Sequence, residues 1–378
     1  MLTKNLLRVI ISGGGTGGHI YPGIAIANKL QELHPNVEII FVGVKNRIET
    51  KIVPKEGYPL KTVYVKSFPR KLGAKTIFFF FSLFIGLVQS IFFLLRQKPH
   101  IVIGTGGYVS YPVVYAAQLL GIPTLIQEQN SFPGIATRRL AAKVDEVHLA
   151  FAEAVKYLKK SKSGDKFKIT GNPIRPFSKK IDRSSALAKF SLDENKRTLL
   201  LFGGSQGAAS LNQALLNALP GLSTDIQIIW QTGAPDFERI QLECQKFSHR
   251  MYVQSFFYNM AEAYAAADLA FCRAGAITIA ELVQVAIPAI FVPLPHAAEG
   301  HQEKNARVLV DAKASDMILQ QDLTGELLKE KIEQLIFDHH KMDQFKKNLK
   351  GFHHLDAAGE IARRVILLAT KNSQNHYE

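Results

Sequence analysis

Short apolar runs rich in β-branched residues alternate with stretches of helical spacing along most of the chain, the pattern of a parallel sheet covered by helices. Arg8–Ser12 (RVIIS), Val37–Gly43 (VEIIFVG), His100–Gly107 (HIVIGTGG) and Pro123–Gln129 (PTLIQEQ) read as strands of a first sheet. Arg197–Gly204 (RTLLLFGG), Ile226–Gly233 (IQIIWQTG), Asp268–Gly275 (DLAFCRAG) and Pro288–Pro295 (PAIFVPLP) read as strands of a second. The expected fold class is therefore α/β, with two Rossmann-like halves. Each half opens with an apolar strand running into a glycine loop, VIISGGGTGGH from Val9 and LLLFGGSQGA from Leu199. Two prolines and a basic run mark Gly171–Arg183 as a linker. Domains are expected at 1–172 and 173–352, and the helical spacing of Asp356–Thr370 predicts a last helix.

One segment breaks the alternation. Ile77–Leu95 (IFFFFSLFIGLVQSIFFLL) is nearly all apolar and is flanked by Lys71, Lys75, Arg96 and Lys98. As a helix it would reach roughly 28 Å, close to the thickness of a bilayer's hydrocarbon core. A membrane span there would separate the second and third predicted strands of one sheet, which argues against it. Ser82, Gly86, Gln89 and Ser90 form a small or polar stripe expected to pack on the sheet, leaving Phe78, Phe81 and Phe92 outward as an interfacial patch. A fully buried core helix is the plainer alternative.

A length of 378 residues suits two domains. Hydrophobic residues at 47% and charged residues at 21% exclude global disorder. The net charge of +14 points to a negative partner: a phosphate-bearing substrate, an anionic membrane surface or nucleic acid. Two cysteines, Cys244 and Cys272, are too few for a disulfide framework and read as buried thiols in a reducing compartment. Leu6–Ile11 runs straight into glycines with no h-region or cleavage site, so a cytoplasmic location is expected.

Three glycine-rich turns lie between a predicted strand and a helix: Gly13–His19, Gly104–Tyr108 and Gly203–Ala208. Such turns bring backbone N–H groups close to phosphate. Gly13, Gly15 and Gly18 match a dinucleotide fingerprint, but Gly43, Val44 and Lys45 stand where an acidic ribose ligand belongs. The loop ends in Gly18-His19 rather than Gly-Lys-Ser/Thr, which also disfavours a Walker loop. His19 sits where loop becomes helix and has the ordinary pKa of a base near neutrality; a capping or packing histidine is the alternative.

GGGTGGH, GTGGYVSYP (Gly104–Pro112), EQNSFPG (Glu128–Gly134), TGNPIR (Thr170–Arg175), GGSQGA, CRAGAITIAE (Cys272–Glu281) and HQEKNA (His301–Ala306) occur in one order. Together they resemble the MurG family of bacterial peptidoglycan glycosyltransferases, which add N-acetylglucosamine to lipid I to make lipid II. The resemblance spans about residues 8 to 310. It implies a GT-B fold, two Rossmann-like domains facing a cleft, with UDP-N-acetylglucosamine held by the C-terminal one and a last helix (353–378) that crosses back to complete the N-terminal one. It also implies peripheral attachment to the cytoplasmic face of the bacterial inner membrane, a lipid-linked pyrophosphoryl-muramoyl-peptide acceptor, room for other wall-synthesis partners, and no nucleic acid.

By the same resemblance, Glu281 binds the uridine ribose, Arg273, Ser205 and Arg175 face the diphosphate, and Phe257 presents backbone to uracil. Ala276, Ile277, Thr278 and Ile279 open a helix near the donor, Gln302 and Asn130 read the sugar, and Thr16, Gly17 and Gly18 complete the donor set. Gly14, Gly15, Gly106, Gly107 and Tyr108 are implied for the acceptor. Plainer readings make Glu281 and Arg273 a surface pair, Ser205 a helix cap and Phe257 core. Gln127 stands where relatives often have His, and His296–Gln302 is variable among relatives. The implied chemistry is inverting displacement of UDP without a covalent intermediate. His19 is the candidate base, with Glu128 as its rival or its orienting group. No Asp-x-Asp pair occurs in the chain, so no obligatory metal or other cofactor is expected. The alternatives are another GT-B transferase using a UDP-sugar, or a non-catalytic basic module that binds membrane or nucleic acid.

Overall fold

The computed structural model describes residues 6–67, 73–159, 166–175, 181–204 and 206–374. Ser205, Lys71, part of the expected linker and the last four residues lie outside them, as does the side chain of Lys75. The chain divides into two units, Met1–Arg175 with His354–Glu378, and Pro176–His353.

The first unit holds a seven-stranded parallel sheet in the order β3-β2-β1-β4-β5-β6-β7. Its strands are β1 (Leu7–Gly13), β2 (Val37–Gly43), β3 (Leu60–Thr62), β4 (Ile101–Gly106), β5 (Thr124–Glu128), β6 (Glu146–Leu149) and β7 (Phe167–Ile169). Val9, Ile10 and Ile11 are all buried, because helices cover both faces and a central strand can then be continuously apolar. The helices are α1 (Gly17–Leu33), α2 (Glu49–Lys55), α3 (Ala74–Gln97), α4 (Ser110–Leu119) and α5 (Ile135–Leu140). The C-terminal helix (Ala357–Gln374) returns to this unit, where Ile361, Ala362, Val365 and Ala369 join the core of β1 and α1. Arg364 pins that helix through both oxygens of Glu146, a buried carboxylate on β6 that also bonds His148. Burial works to raise the Glu146 pKa, but the His148 and Arg364 hydrogen bonds outweigh it and hold the group at about 2.

The apolar segment is α3. Ser82, Gly86 and Ser90 face inward, and a Cβ at Gly86 would lie 2.9 Å from the Tyr64 carbonyl oxygen. The expected stripe needs one correction: Gln89 is exposed, although its side chain accepts the Tyr64 N–H at 2.7 Å. The inner face packs against α4 and the strand-end segment after β3 rather than squarely on the sheet. Phe78, Phe81 and Phe92 are exposed, as are Ile77, Phe80, Phe84 and Leu95. By length and composition alone, Thr76–Gln97 suffices to cross a membrane.

The second unit holds a six-stranded parallel sheet, β10-β9-β8-β11-β12-β13. Its strands are β8 (Arg197–Phe202), β9 (Ile226–Gln231), β10 (Met251–Gln254), β11 (Leu269–Cys272), β12 (Ala289–Phe291) and β13 (Asp316–Met317). Around it lie α6 (Arg183–Lys189), α7 (Ala209–Ala218), α8 (Phe237–Cys244), α9 (Met260–Ala266), α10 (Ala276–Val285), α11 (His301–Asp311), α12 (Gly325–Ile336) and α13 (His339–Leu349). Trp230 is fully buried and donates its indole N–H to Asn212 on α7. Both cysteines are buried free thiols, and burial raises each thiol pKa.

Candidate functional site

Open parallel sheets bind ligands beyond the carboxyl ends of their strands, where strand order reverses. In the first unit that point lies between β1 and β4, and in the second between β8 and β11. Two of the three predicted glycine loops meet at the first point and the third stands at the second.

At the β1/β4 point, the turn Gly13–Thr16 leads into α1 and the turn Gly106–Tyr108 leads toward α4. Gly107 has φ +78°, and a Cβ there would lie 2.3 Å from the Gly14 carbonyl oxygen, so only glycine lets the two turns touch. The His19 ring fills the space beside them: a Cβ at Gly106 would lie 2.6 Å from its Cδ2. His19 Nδ1 is 3.0 Å from the Gly14 carbonyl oxygen and 3.3 Å from Thr16 Oγ1. Because a carbonyl can only accept, Nδ1 carries the proton in the neutral ring, and Nε2 is the basic nitrogen. His19, Thr16 to Gly18, Gly14, Gly15 and Gly106 to Tyr108 are thus brought together.

Glu128 lies at the end of β5, and each of its oxygens accepts two hydrogen bonds. Oε1 takes the N–H of Asn130 at 3.0 Å and its Nδ2 at 3.2 Å, while Oε2 takes the N–H of Gly134 at 3.1 Å and Thr137 Oγ1 at 2.6 Å. With its lone pairs so occupied, this carboxylate orients the loop into α5. Gln127, buried beneath it, donates to Asn172 at 3.0 Å. The Arg175 guanidinium, expected at a diphosphate, pairs with Glu56, just past α2, and lies 5.3 Å over the Tyr21 ring.

At the β8/β11 point, a cavity of about 310 Å³ is lined by Gly203, Gly204, Gly207, Arg273, Thr278 and Gln302, among others. Gly207 has φ +76°, and a Cβ there would come within 2.1 Å of the Thr232 carbonyl oxygen. Arg273 follows β11. It donates to the carbonyls of Val292 at 3.1 Å and Pro293 at 3.2 Å, to Ser210 Oγ at 2.8 Å and to Gln320 Oε1 at 2.6 Å. These four acceptors fix a permanent positive charge in the cavity wall. Gln302 Oε1 accepts the Leu294 N–H at 2.9 Å, which leaves its amide nitrogen as the donor. Gly275 caps α10, whose first turn is Ala276 to Ile279, and Glu281 follows one turn on.

Glu281 is half-buried, and burial pushes its pKa up to about 7, opposed by the hydrogen bond it accepts from the Tyr264 hydroxyl at 2.8 Å. Phe257 is buried, its ring against Phe190 and Tyr252, and its N–H is already accepted by Gln231 Oε1 at 2.8 Å. The backbone group it can still offer is its carbonyl. Of the expected donor residues, Arg273, Ala276 to Ile279, Glu281, Phe257 and Gln302 belong to this unit, while Thr16, Gly17, Gly18, Asn130 and Arg175 belong to the other.

Sequence reading missed the supports: Glu49, Tyr264, Gln231, Ser210 and Gln320. None stands in a glycine-rich motif, and each acts on a site residue distant along the chain.

Residues 9–149 match the glycosyltransferase family 28 N-terminal domain, and residues 198–361 its C-terminal domain. A protein of Chlorobaculum parvum named UDP-N-acetylglucosamine–N-acetylmuramyl-(pentapeptide) pyrophosphoryl-undecaprenol N-acetylglucosamine transferase is 41% identical, covering 96% of this chain and 100% of that protein. A protein of the same name from a Thermoanaerobacter species is 39% identical over 95% of this chain and 99% of its own. The crystal structure of Acinetobacter baumannii MurG superposes with a TM-score of 0.77 at 27% identity, covering 95% of this chain and 99% of that one.

Proposed function

Since the chain belongs to glycosyltransferase family 28, we propose that it moves N-acetylglucosamine from its UDP donor to undecaprenyl-pyrophosphoryl-N-acetylmuramoyl-pentapeptide, making lipid II. The observation that carries this reading in the structure is the cavity at the β8/β11 point, where Gly203, Gly204, Gly207, Arg273 and the first turn of α10 supply positive charge and backbone N–H groups. A diphosphate needs such donors, and the Glu281 carboxylate beside them suits a ribose diol. The donor therefore binds in the second unit.

The acceptor's sugar hydroxyl is deprotonated by His19 Nε2, with Gly14, Gly15 and Gly106 to Tyr108 shaping the surface it approaches. Its oxygen attacks the anomeric carbon as the bond to the UDP oxygen breaks on the opposite face, so configuration inverts and no sugar–enzyme bond forms. Negative charge developing on UDP is stabilised by Arg273 and the helix start, so no divalent metal is required. EDTA is expected to leave the rate unchanged; loss of transfer that added Mg²⁺ restores would contradict this.

The chain works as a peripheral protein at the cytoplasmic face of the membrane, docked by the exposed phenylalanines of α3. Lys66 supports this, its Nζ lying 5.9 Å from the rings of Phe78 and Tyr64, at the edge of the apolar patch. Arg96 and Lys98 close the far end of the helix, and both are exposed.

The testing experiment supplies radiolabelled UDP-N-acetylglucosamine with and without the lipid-linked acceptor. Label is expected to enter the lipid in step with UDP release, and neither to occur without acceptor. Acceptor-independent breakdown of the donor would overturn the reading.

A further inference from the structure

Glu49, the first residue of α2, is fully buried, yet among the described residues no cation pairs with it. A buried carboxylate without a counter-charge is costly, and an apolar side chain would fill the same space more favourably. Its two oxygens point away from its own helix. Oε1 accepts the Val44 N–H at 3.0 Å, and Oε2 accepts the Gly15 N–H at 3.1 Å. Both oxygens act as acceptors, which is how an ionised carboxylate bonds. A Cβ at Gly14 would lie 2.4 Å from Oε1, so the glycine turn is drawn tight against this group.

The Gly15 N–H belongs to the same peptide group as the Gly14 carbonyl, and that carbonyl accepts from His19 Nδ1 at 3.0 Å. One amide plane thus joins the two side chains, with the carboxylate on its N–H and the imidazole on its oxygen. A hydrogen bond from an amide N–H to an anion draws electron density toward the amide oxygen and strengthens the bond that oxygen accepts. We propose that Glu49 is a positioning residue for His19, fixing the Gly14–Gly15 peptide and, through it, the tautomer and basicity of the imidazole. The carboxylate plays toward this histidine the part that a directly bonded aspartate plays elsewhere, with a peptide interposed.

Among the described residues, the other titratable side chains lying against this turn are Tyr108, beyond β4, and Tyr21 on α1. Among the described residues, Glu49 is the one carboxylate bonded to this turn.

This rests on His19 being the base, and the experiment separates the two claims. Nitrogen-15 NMR of labelled wild-type protein reads the His19 tautomer and its titration, and the same titration in Glu49→Gln is set beside the pH profile of kcat/KM. The proposal expects Nδ1–H in the wild type. In Glu49→Gln it expects the His19 titration and the acid limb of the profile to move together to lower pH by about half a unit or more, with donor KM within about twofold. A wild-type Nε2–H tautomer would overturn the proposal without any variant. A folded Glu49→Gln protein with lowered kcat but unmoved titration and limb would reduce Glu49 to structural support. Retention of turnover by His19→Ala would instead remove the base assignment, whatever the NMR of Glu49→Gln gives.

Discussion

Tyr264 donates its hydroxyl to Glu281 at 2.8 Å, so the carboxylate proposed for the donor's ribose is held by a buried phenol. That bond favours the ionised carboxylate, while burial opposes it and leaves the Glu281 pKa at about 7. An ionised Glu281 is the better acceptor for a diol, and it becomes populated as pH rises through 7. Affinity for UDP-N-acetylglucosamine is therefore expected to rise roughly tenfold between pH 6 and pH 8. Tyr264→Phe should move the midpoint upward, and Glu281→Gln should flatten the dependence. Calorimetric titration of the donor at several pH values checks all three.

The α3 patch predicts a loss confined to membrane binding. Phe81 and Phe92 are 62% and 70% exposed, so replacing them leaves the core untouched. At about 1.5–3 kcal/mol for each buried aromatic, the double variant Phe81→Asp, Phe92→Asp should bind anionic vesicles at least about 100-fold more weakly. Its melting temperature should stay within a few degrees of wild type. Vesicle sedimentation beside a thermal melt measures both, and unchanged sedimentation would take the patch out of docking.

Glu146 makes docking of the C-terminal helix sensitive to acid. Its folded pKa of about 2 lies below the ordinary value of 4.5, so its contribution is fully present above pH 4.5 and is lost as pH falls toward 2. Arg364→Ala leaves the buried carboxylate with His148 alone, and is expected to cost about 2–4 kcal/mol at neutral pH. Denaturant unfolding at pH 7 and pH 3 tests this: the variant's deficit should shrink at the lower pH.

The central strands of both sheets were legible because they are continuously apolar and end in glycine turns, as β1 and β8 do. β6 was not, since Glu146 and His148 interrupt its apolar pattern. Their burial makes sense only with Arg364, which the chain supplies more than two hundred residues later. The edge strands β3, β7, β10 and β13 are short and partly exposed, so little alternation marks them. At the sites, glycine-flanked residues such as His19 and Arg273 stood out. Glu49 did not: KNRIETKIVPK reads as an ordinary solvated helix start, and only the approach of Gly15 and Val44 makes its carboxylate internal. The pairing of Arg175 with Glu56 was hidden for a related reason, since the two meet only in three dimensions.

Crystals of the protein soaked with UDP-N-acetylglucosamine test the division of labour between the two units most directly. The diphosphate is expected beside Arg273 and the Gly203–Gly207 turn, with the ribose on Glu281. Density for the nucleotide at Gly13–His19, with the β8/β11 cavity vacant, would contradict it.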